Sequence, residues 1–171
     1  MENNFHRRKH VRLKQHNYDL PGAYFVTICT HNRQRILSKI VGAIHKSPTV
    51  ELQPYGEIVK KVIDSLPNHL GVIVDKCVIM PDHIHCIFVI TRETMERAIR
   101  ESPLRQRSII SKAVGYIKMT ATKNIHTDFG NQDTVWQRSY YEHIIRNKND
   151  YDQIVGYMVQ NPIKWFYENK L

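Results

Sequence analysis

Two short stretches of this chain carry side chains able to do chemistry. The first is His83-Ile84-His85, which follows Pro81-Asp82. On a strand the side chains at i and i+2 leave the same face, so both imidazoles would emerge together and can chelate one divalent ion. Two nitrogens are not a metal site, and paired histidines also occur as polar residues of a solvated face, so a third donor must come from elsewhere. The second stretch runs from Asn149 to Pro162, where Tyr157 and Asn161 stand four residues apart. That spacing is close to one helical turn, which places a phenol and a carboxamide together beside an apolar stripe of Ile154, Val155, Met158 and Val159. Without the histidines, Tyr157 reads as a tyrosine at the core edge and Asn161 as the end of a helix.

Joined, the two stretches describe a centre for phosphoryl transfer. A divalent ion held by His83, His85 and the amide oxygen of Asn161 would withdraw charge from a phosphodiester and orient it. Tyr157 would attack phosphorus in line, release a deoxyribose 3′ oxygen and keep the 5′ phosphate as a phosphotyrosine. A phenol suits reversible transfer, because a pKa of about 10 makes phenolate a far better leaving group than an alkoxide. Imidazole and amide donors with open positions suit Mg²⁺ or Mn²⁺ with water.

The elements that must position these groups are legible from hydrophobic period. Tyr24 to Thr30 is β-branched and aromatic, bounded by Pro21-Gly22 and His31-Asn32-Arg33, and reads as a strand. Residues 38–54 read as a small hairpin insertion around Lys46-Ser47-Pro48. Ile58, Val59, Val62, Ile63 and Leu66 recur at helical spacing from Gly56 to about Leu66. Val72–Val74 with Cys77–Met80 forms a second strand, Met80-Pro81-Asp82-His83 a turn, and His83–Ile90 a third strand antiparallel to the second. Residues 91–107 are charged without a clear face and read as a linker or exposed helical turn. A second helix begins at Ser108, carrying Ile109, Ile110, Ala113, Val114, Ile117 and Ala121. Val135 to Ile145 offers a last strand, and Asn149-Asp150 would cap a terminal helix ending at Asn161-Pro162. The order predicts an α+β fold: a ferredoxin-like split-βαβ antiparallel sheet with helices on one face, plus a C-terminal helix carrying the tyrosine.

Composition bounds what this fold meets. With 171 residues, 42% of them hydrophobic, and no linker, the chain reads as one domain able to bury a core. Three cysteines without a CxxC spacing argue against a disulfide framework or a closed zinc site and make a reduced cytoplasm the default. No apolar run approaches the length of a membrane span, and the basic start lacks the apolar core of a signal peptide. A net charge of +9 favours polyanions. Residues 1–16 read as a basic arm, with Arg7, Arg8, Lys9, Arg12 and Lys14 against the single acid Glu2.

Three segments carry a resemblance: GAYFVTICTHNRQ (22–34), VIMPDHIHCIF (78–88) and VWQRSYYEHIIRNKNDYDQIVGYMVQNPIKW (135–165). They resemble the REP-associated tyrosine transposases, within the HUH single-stranded-DNA transposases that use one tyrosine. The resemblance implies His83 and His85 as metal ligands, Tyr157 as nucleophile and Asn161 as the residue completing the metal site. It further implies cleavage and joining of single-stranded DNA near an imperfect palindrome folded into a hairpin, in the cytoplasm at the nucleoid, by a monomer or a homodimer. Asp82 stands where asparagine is most often expected in such a turn, a change that leaves the ligands intact.

The charge pattern agrees with such a substrate. Arg7, Arg8, Lys9, Arg12 and Lys14 would clamp hairpin phosphates, and Lys112 and Lys118 with Tyr116 would border a strand by charge and stacking. Trp136, Tyr140 and Tyr141 read as core or sheet-edge aromatics, the two tyrosines being phenols without a helical partner. Two other classes compete. A non-catalytic RNA- or DNA-binding ferredoxin-like module explains the charge but not the histidines, and its aromatic sheet signature is absent. A histidine phosphoesterase with paired His-x-Ser/Thr strands needs a second motif that the chain lacks.

Overall fold

A computed structural model describes residues 20–42, 48–101 and 107–169 of the chain. Arg7, Arg8, Lys9, Arg12 and Lys14 of the expected basic arm lie outside the described residues, as does the Lys46-Ser47 bend of the hairpin insertion.

Four strands form the main sheet: β1 (Gly22–Cys29), β4 (Ile73–Ile79), β5 (His83–Ile90) and β6 (Tyr141–Ile145), in the order β4-β5-β1-β6. All neighbours are antiparallel, with Cys29 opposite His83, Thr27 opposite His85 and Phe25 opposite Ile87 across β1 and β5. This is the split-βαβ arrangement expected from the sequence. Between β1 and β4 the chain inserts a hairpin, β2 (Ser38–Val41) and β3 (Thr49–Leu52), then the helices α1 (Pro54–Asp64) and α2 (Leu66–Leu70). After β5 come α3 (Arg92–Glu101) and α4 (Ile109–Phe129), and after β6 comes α5 (Lys148–Glu168).

The two faces of the sheet differ in what they bury, because alternate residues of each strand face opposite ways. Tyr24, Val26 and Ile28 of β1 and Ile84, Cys86 and Phe88 of β5 pack against Val59, Val62 and Ile63 of α1 and Ile110, Val114 and Ile117 of α4. This is the main core, and each large aliphatic side chain fully buried there contributes roughly 1.5–3 kcal/mol. On the opposite face a smaller cluster joins Phe25 and Ile87 to Met158 of α5, flanked by Tyr151, Ile154 and Val155. Covering both faces explains why β5 reads as an almost unbroken apolar run interrupted by its two histidines.

Of the two readings of residues 91–107 the helical one holds over Arg92–Glu101: α3 forms because the Thr91 hydroxyl accepts from the Thr94 amide and Thr94 in turn donates to the Gly71 carbonyl, which ties a charged segment to the core side. Three expectations need correction. The last strand starts at Tyr141, not Val135; Trp136 makes only a single bridge to Thr30. α5 is capped by Asn147, whose side chain accepts from the Asp150 amide at 2.9 Å, and it runs through a buried Pro162 to Glu168. Finally, Val159 is 65% exposed; Met158 is the buried member of the stripe. Among the described residues no helix is long and apolar enough to cross a membrane.

Candidate active site

The turn that opens β5 is tightly determined. Its ends are closed by the Met80 amide donating to the His83 carbonyl at 2.8 Å. Thr30 then holds the Asp82 carbonyl twice, through its amide and its hydroxyl, each at 2.9 Å. From the other side the Leu37 amide donates to the Pro81 carbonyl and the Ser38 hydroxyl to the Ile79 carbonyl. Leu37 is itself pinned because α1 comes very close: a Cβ at Gly56 would lie 2.0 Å from the Leu37 carbonyl oxygen, so only glycine fits there. The start of β5 therefore has little freedom to reorient its imidazoles.

His83 and His85 are both buried and both project to the α5 face. Their Nε2 atoms are 3.0 Å apart. One turn of α5 brings in the remaining groups: the Asn161 amide at 2.9 Å and the Tyr157 hydroxyl at 3.3 Å from Nε2 of His85. Phe25 stacks on the His85 ring and meets the Tyr157 ring edge-on, so one aromatic side chain supports both. Tyr157 is 51% exposed, which leaves its hydroxyl open to a substrate from solvent.

Hydrogen bonding fixes which nitrogens carry protons. His83 Nδ1–H donates to the Asp82 carboxylate at 2.5 Å. At His85, Nε2 faces the Asn161 amide and the Tyr157 hydroxyl as an acceptor, which puts the proton on Nδ1, donated to Thr27 Oγ1 at 2.8 Å. Both Nε2 lone pairs then point at one another. Burial pushes the His85 pKa down to about 3, so His85 itself takes up no proton that would relieve this repulsion. A divalent cation would, and each imidazole already has the partner behind it that orients a metal ligand. The amide of Asn161 is two-sided; turned over, it offers oxygen to the same point. Among the described residues no three His, Cys, Asp or Glu side chains cluster to hold a metal, so the donor set that fits is two imidazoles and an amide.

Asp82 carries the negative charge of the site. Burial works to raise its pKa, but the His83 hydrogen bond and the nearby Arg33 charge prevail and hold it below the usual carboxylate range. Arg33 approaches Asp82 at 3.5 Å from a backbone with φ of 56°, next to Asn32 at 50°. Two consecutive non-glycine residues in the left-handed region are strained, and strain of this kind collects at working sites.

No family model matches the chain. An uncharacterized protein of Haemophilus influenzae is 32% identical over 170 residues, covering 94% of this chain and 91% of that protein. A REP-associated tyrosine transposase of Escherichia coli is 24% identical over 143 residues, covering 84% of this chain and 67% of its own length. A solved REP-associated tyrosine transposase bound to a REP hairpin shares the fold, with a TM-score of 0.61 at 20% identity over 90% of this chain and 74% of that one. By sequence this chain is similar to REP-associated tyrosine transposases, and it shares their fold.

Of the residues the transposase resemblance singles out, His83, His85, Tyr157 and Asn161 meet at one point. Lys112, Tyr116 and Lys118 lie elsewhere, on α4, which packs on the opposite face of the sheet. Tyr116 meets the His69 ring and the Ser65 hydroxyl, and Lys118 donates to the carbonyls of Gln137, Arg138 and Ser139 with its pKa lowered by burial. Those two side chains hold the transposase fold together. Sequence reasoning missed Thr27 and Phe25 as partners of His85, and Arg33 as the partner of Asp82. Thr27 and Phe25 were discoverable from strand register alone, since each sits at alternate spacing on β1 and pairs with β5.

Proposed function

We propose that this chain nicks and rejoins single-stranded DNA beside a hairpin, in a metal-dependent reaction through a 5′-phosphotyrosine at Tyr157. The observation that carries this reading is the convergence of three side chains on Nε2 of His85: His83 at 3.0 Å, Asn161 at 2.9 Å and Tyr157 at 3.3 Å. His83, His85 and Asn161 would hold Mg²⁺ or Mn²⁺, which when bound supplies charge withdrawal from the scissile phosphate. Asp82 and Thr27 keep both imidazoles in the ligand tautomer. Phe25 and the turn of α5 hold the Tyr157 ring over the site. The Tyr157 oxygen forms the new bond to phosphorus while the bond to the 3′ oxygen breaks; the phenol proton passes to water and the released 3′ oxygen takes one up. Because phenolate is a good leaving group, a second 3′ hydroxyl can reverse the step and join a new end.

The hairpin belongs to this reading by likeness, since the solved relative is bound to a REP hairpin. The net charge of +9 supports a polyanionic substrate. His83, His85, Tyr157 and Asn161 meet within one chain, which supports a monomer as the acting unit. A binding module that reads nucleic acid on an open sheet would need the face that α5 covers through Met158. The deciding experiment is incubation with hairpin-bearing single-stranded DNA and Mn²⁺, followed by a denaturing gel. A covalent protein–DNA band that vanishes in Tyr157→Phe supports the reading. Persistence of the band in that variant, or binding without any band, overturns it.

A further inference from the structure

Beside the imidazoles lies a cleft of about 450 Å³ that the proposed cleavage chemistry does not use. It is bounded by the β2 strand of the inserted hairpin, by Pro81 of the turn and by the last turns of α5. Its walls are flat. The Arg35 guanidinium lies 5.3 Å from the centre of the Trp165 ring, and Arg35 Nη2 donates to Asn169 Oδ1 at 2.5 Å, which fixes the plane of the guanidinium. Phe166 closes the far side against β2: a Cβ at Gly42 would stand 3.0 Å from its ring, so the hairpin presses on the aromatic. Carboxamides of Gln53 and Asn169 and the ammonium of Lys39 stand around this flat floor, and among the described residues no acidic side chain lines it.

The cleft is joined to the chemistry. Trp165 follows Asn161 by one helical turn, and its ring centre is 6.2 Å from that of His83. A phosphate held at His83 and His85 would therefore lie within one nucleotide's reach of the Trp165 ring. Planar aromatic and guanidinium surfaces stack any base, and two cations suit the phosphates on either side, while the carboxamides of Asn169 and Gln53 hold the walls by donating to the carbonyls of Trp165 and Ser38.

We propose that this cleft receives one unstacked base of the DNA strand next to the scissile phosphate, stacked on the Arg35–Trp165 pair. This rests on the nucleic-acid reading above and adds a subsite to it. The inserted hairpin thereby gains a role in substrate binding, as one wall of a base pocket that the four-stranded sheet alone does not possess.

The test uses the full chain, with Mg²⁺ replaced by chelator so that binding is read without cleavage. The probes are oligonucleotides with one hairpin and a single-stranded flank of dA, dC, dG or dT, together with a flank of the same length in which every base is absent but the phosphates remain. Trp165→Ala should weaken binding about tenfold for at least one base-bearing flank and leave the abasic flank unchanged, because base stacking and not phosphate contact is lost. Trp165→Phe should restore most of the affinity, and Arg35→Ala should repeat the base-dependent loss while leaving α5 intact by circular dichroism. Quenching of Trp165 fluorescence by the base-bearing flank alone reports the stack directly, with buried Trp136 as the unchanging reference. Equal losses on base-bearing and abasic flanks, no loss on any flank, or no binding at all would each overturn the pocket. The covalent-band assay judges the catalytic reading separately, so a band in the wild type with no base dependence at Trp165 sinks only this inference.

Discussion

The hydroxyl of Tyr157 stands 3.3 Å from Nε2 of His85, although 72 residues separate the two in sequence. One comes from a helix resting on the sheet through Met158, the other from a strand whose opposite face builds the main core. Their meeting is thus a tertiary event, and it makes the role of the tyrosine separable from its role in packing.

Tyr157→Phe should abolish the covalent adduct while changing stability by no more than about 0.5 kcal/mol, since the ring is half exposed. Tyr140→Phe should do the reverse. Its hydroxyl bonds Ser111 of α4 at 2.8 Å, so the variant should lose about 1 kcal/mol in urea denaturation and keep the adduct. An adduct lost with Tyr140 and kept without Tyr157 would reverse the assignment.

Metal affinity should distinguish charge from orientation at Asp82. In Asp82→Asn an amide oxygen still accepts from His83 Nδ1–H, so Mn²⁺ binding measured by titration calorimetry should fall less than about tenfold. Asp82→Ala frees the ring and should cost about 10–100-fold. Mn²⁺ should raise the melting temperature of the wild type, and His83→Ala and His85→Ala should each remove that stabilisation. Undiminished stabilisation in either histidine variant would refute the assigned ligands.

Acid should weaken the metal-free fold in a way traceable to His85. In the unfolded chain this imidazole titrates near 6.5, in the native site only at about 3. Between those values the unfolded state binds the proton and the native state refuses it, so the contribution is fully present above 6.5 and is lost as pH falls toward 3. Urea denaturation in chelator should show up to about 2 kcal/mol less stability at pH 5 than at pH 6.5 from this group. His85→Gln should flatten that part of the profile; parallel profiles for the two proteins would contradict it.

Arg33→Gly should trade activity for stability. Relief of the left-handed strain is worth about 1 kcal/mol, more than an exposed ion pair to Asp82 returns. Adduct formation should nevertheless slow by about tenfold, because a guanidinium beside the imidazoles is lost where negative charge gathers. Arg33→Lys keeps charge and strain, and should recover part of the rate without the gain in denaturation midpoint. A faster adduct in Arg33→Gly would show that the residue has no such part.

The sheet and its order were legible because β1 and β5 carry dense apolar periods and the turn residues between elements are explicit. The twin imidazoles were legible because a period of two needs no tertiary knowledge. Other features were hidden by context. Pro162 signals a stop in isolation, yet Trp165 and Phe166 hold the following turns against Arg35 and Gly42. Val159 and Met158 are adjacent and similarly apolar, and only the angle at which α5 meets the sheet decides which is buried. Lys118 looked like a surface cation, but its carbonyl partners at residues 137–139 come from a loop without periodicity.

The proline within α5 has a mechanical consequence. It cannot supply the amide that would bond the Met158 carbonyl, so the helix lacks the rung from Met158 to Pro162, beside the turn bearing Tyr157 and Asn161. A rod missing a rung is most compliant there. A ligand pressing on the Trp165 end would therefore bend α5 close to the phenol and the carboxamide, tying the set of the last turns to the aim of the tyrosine.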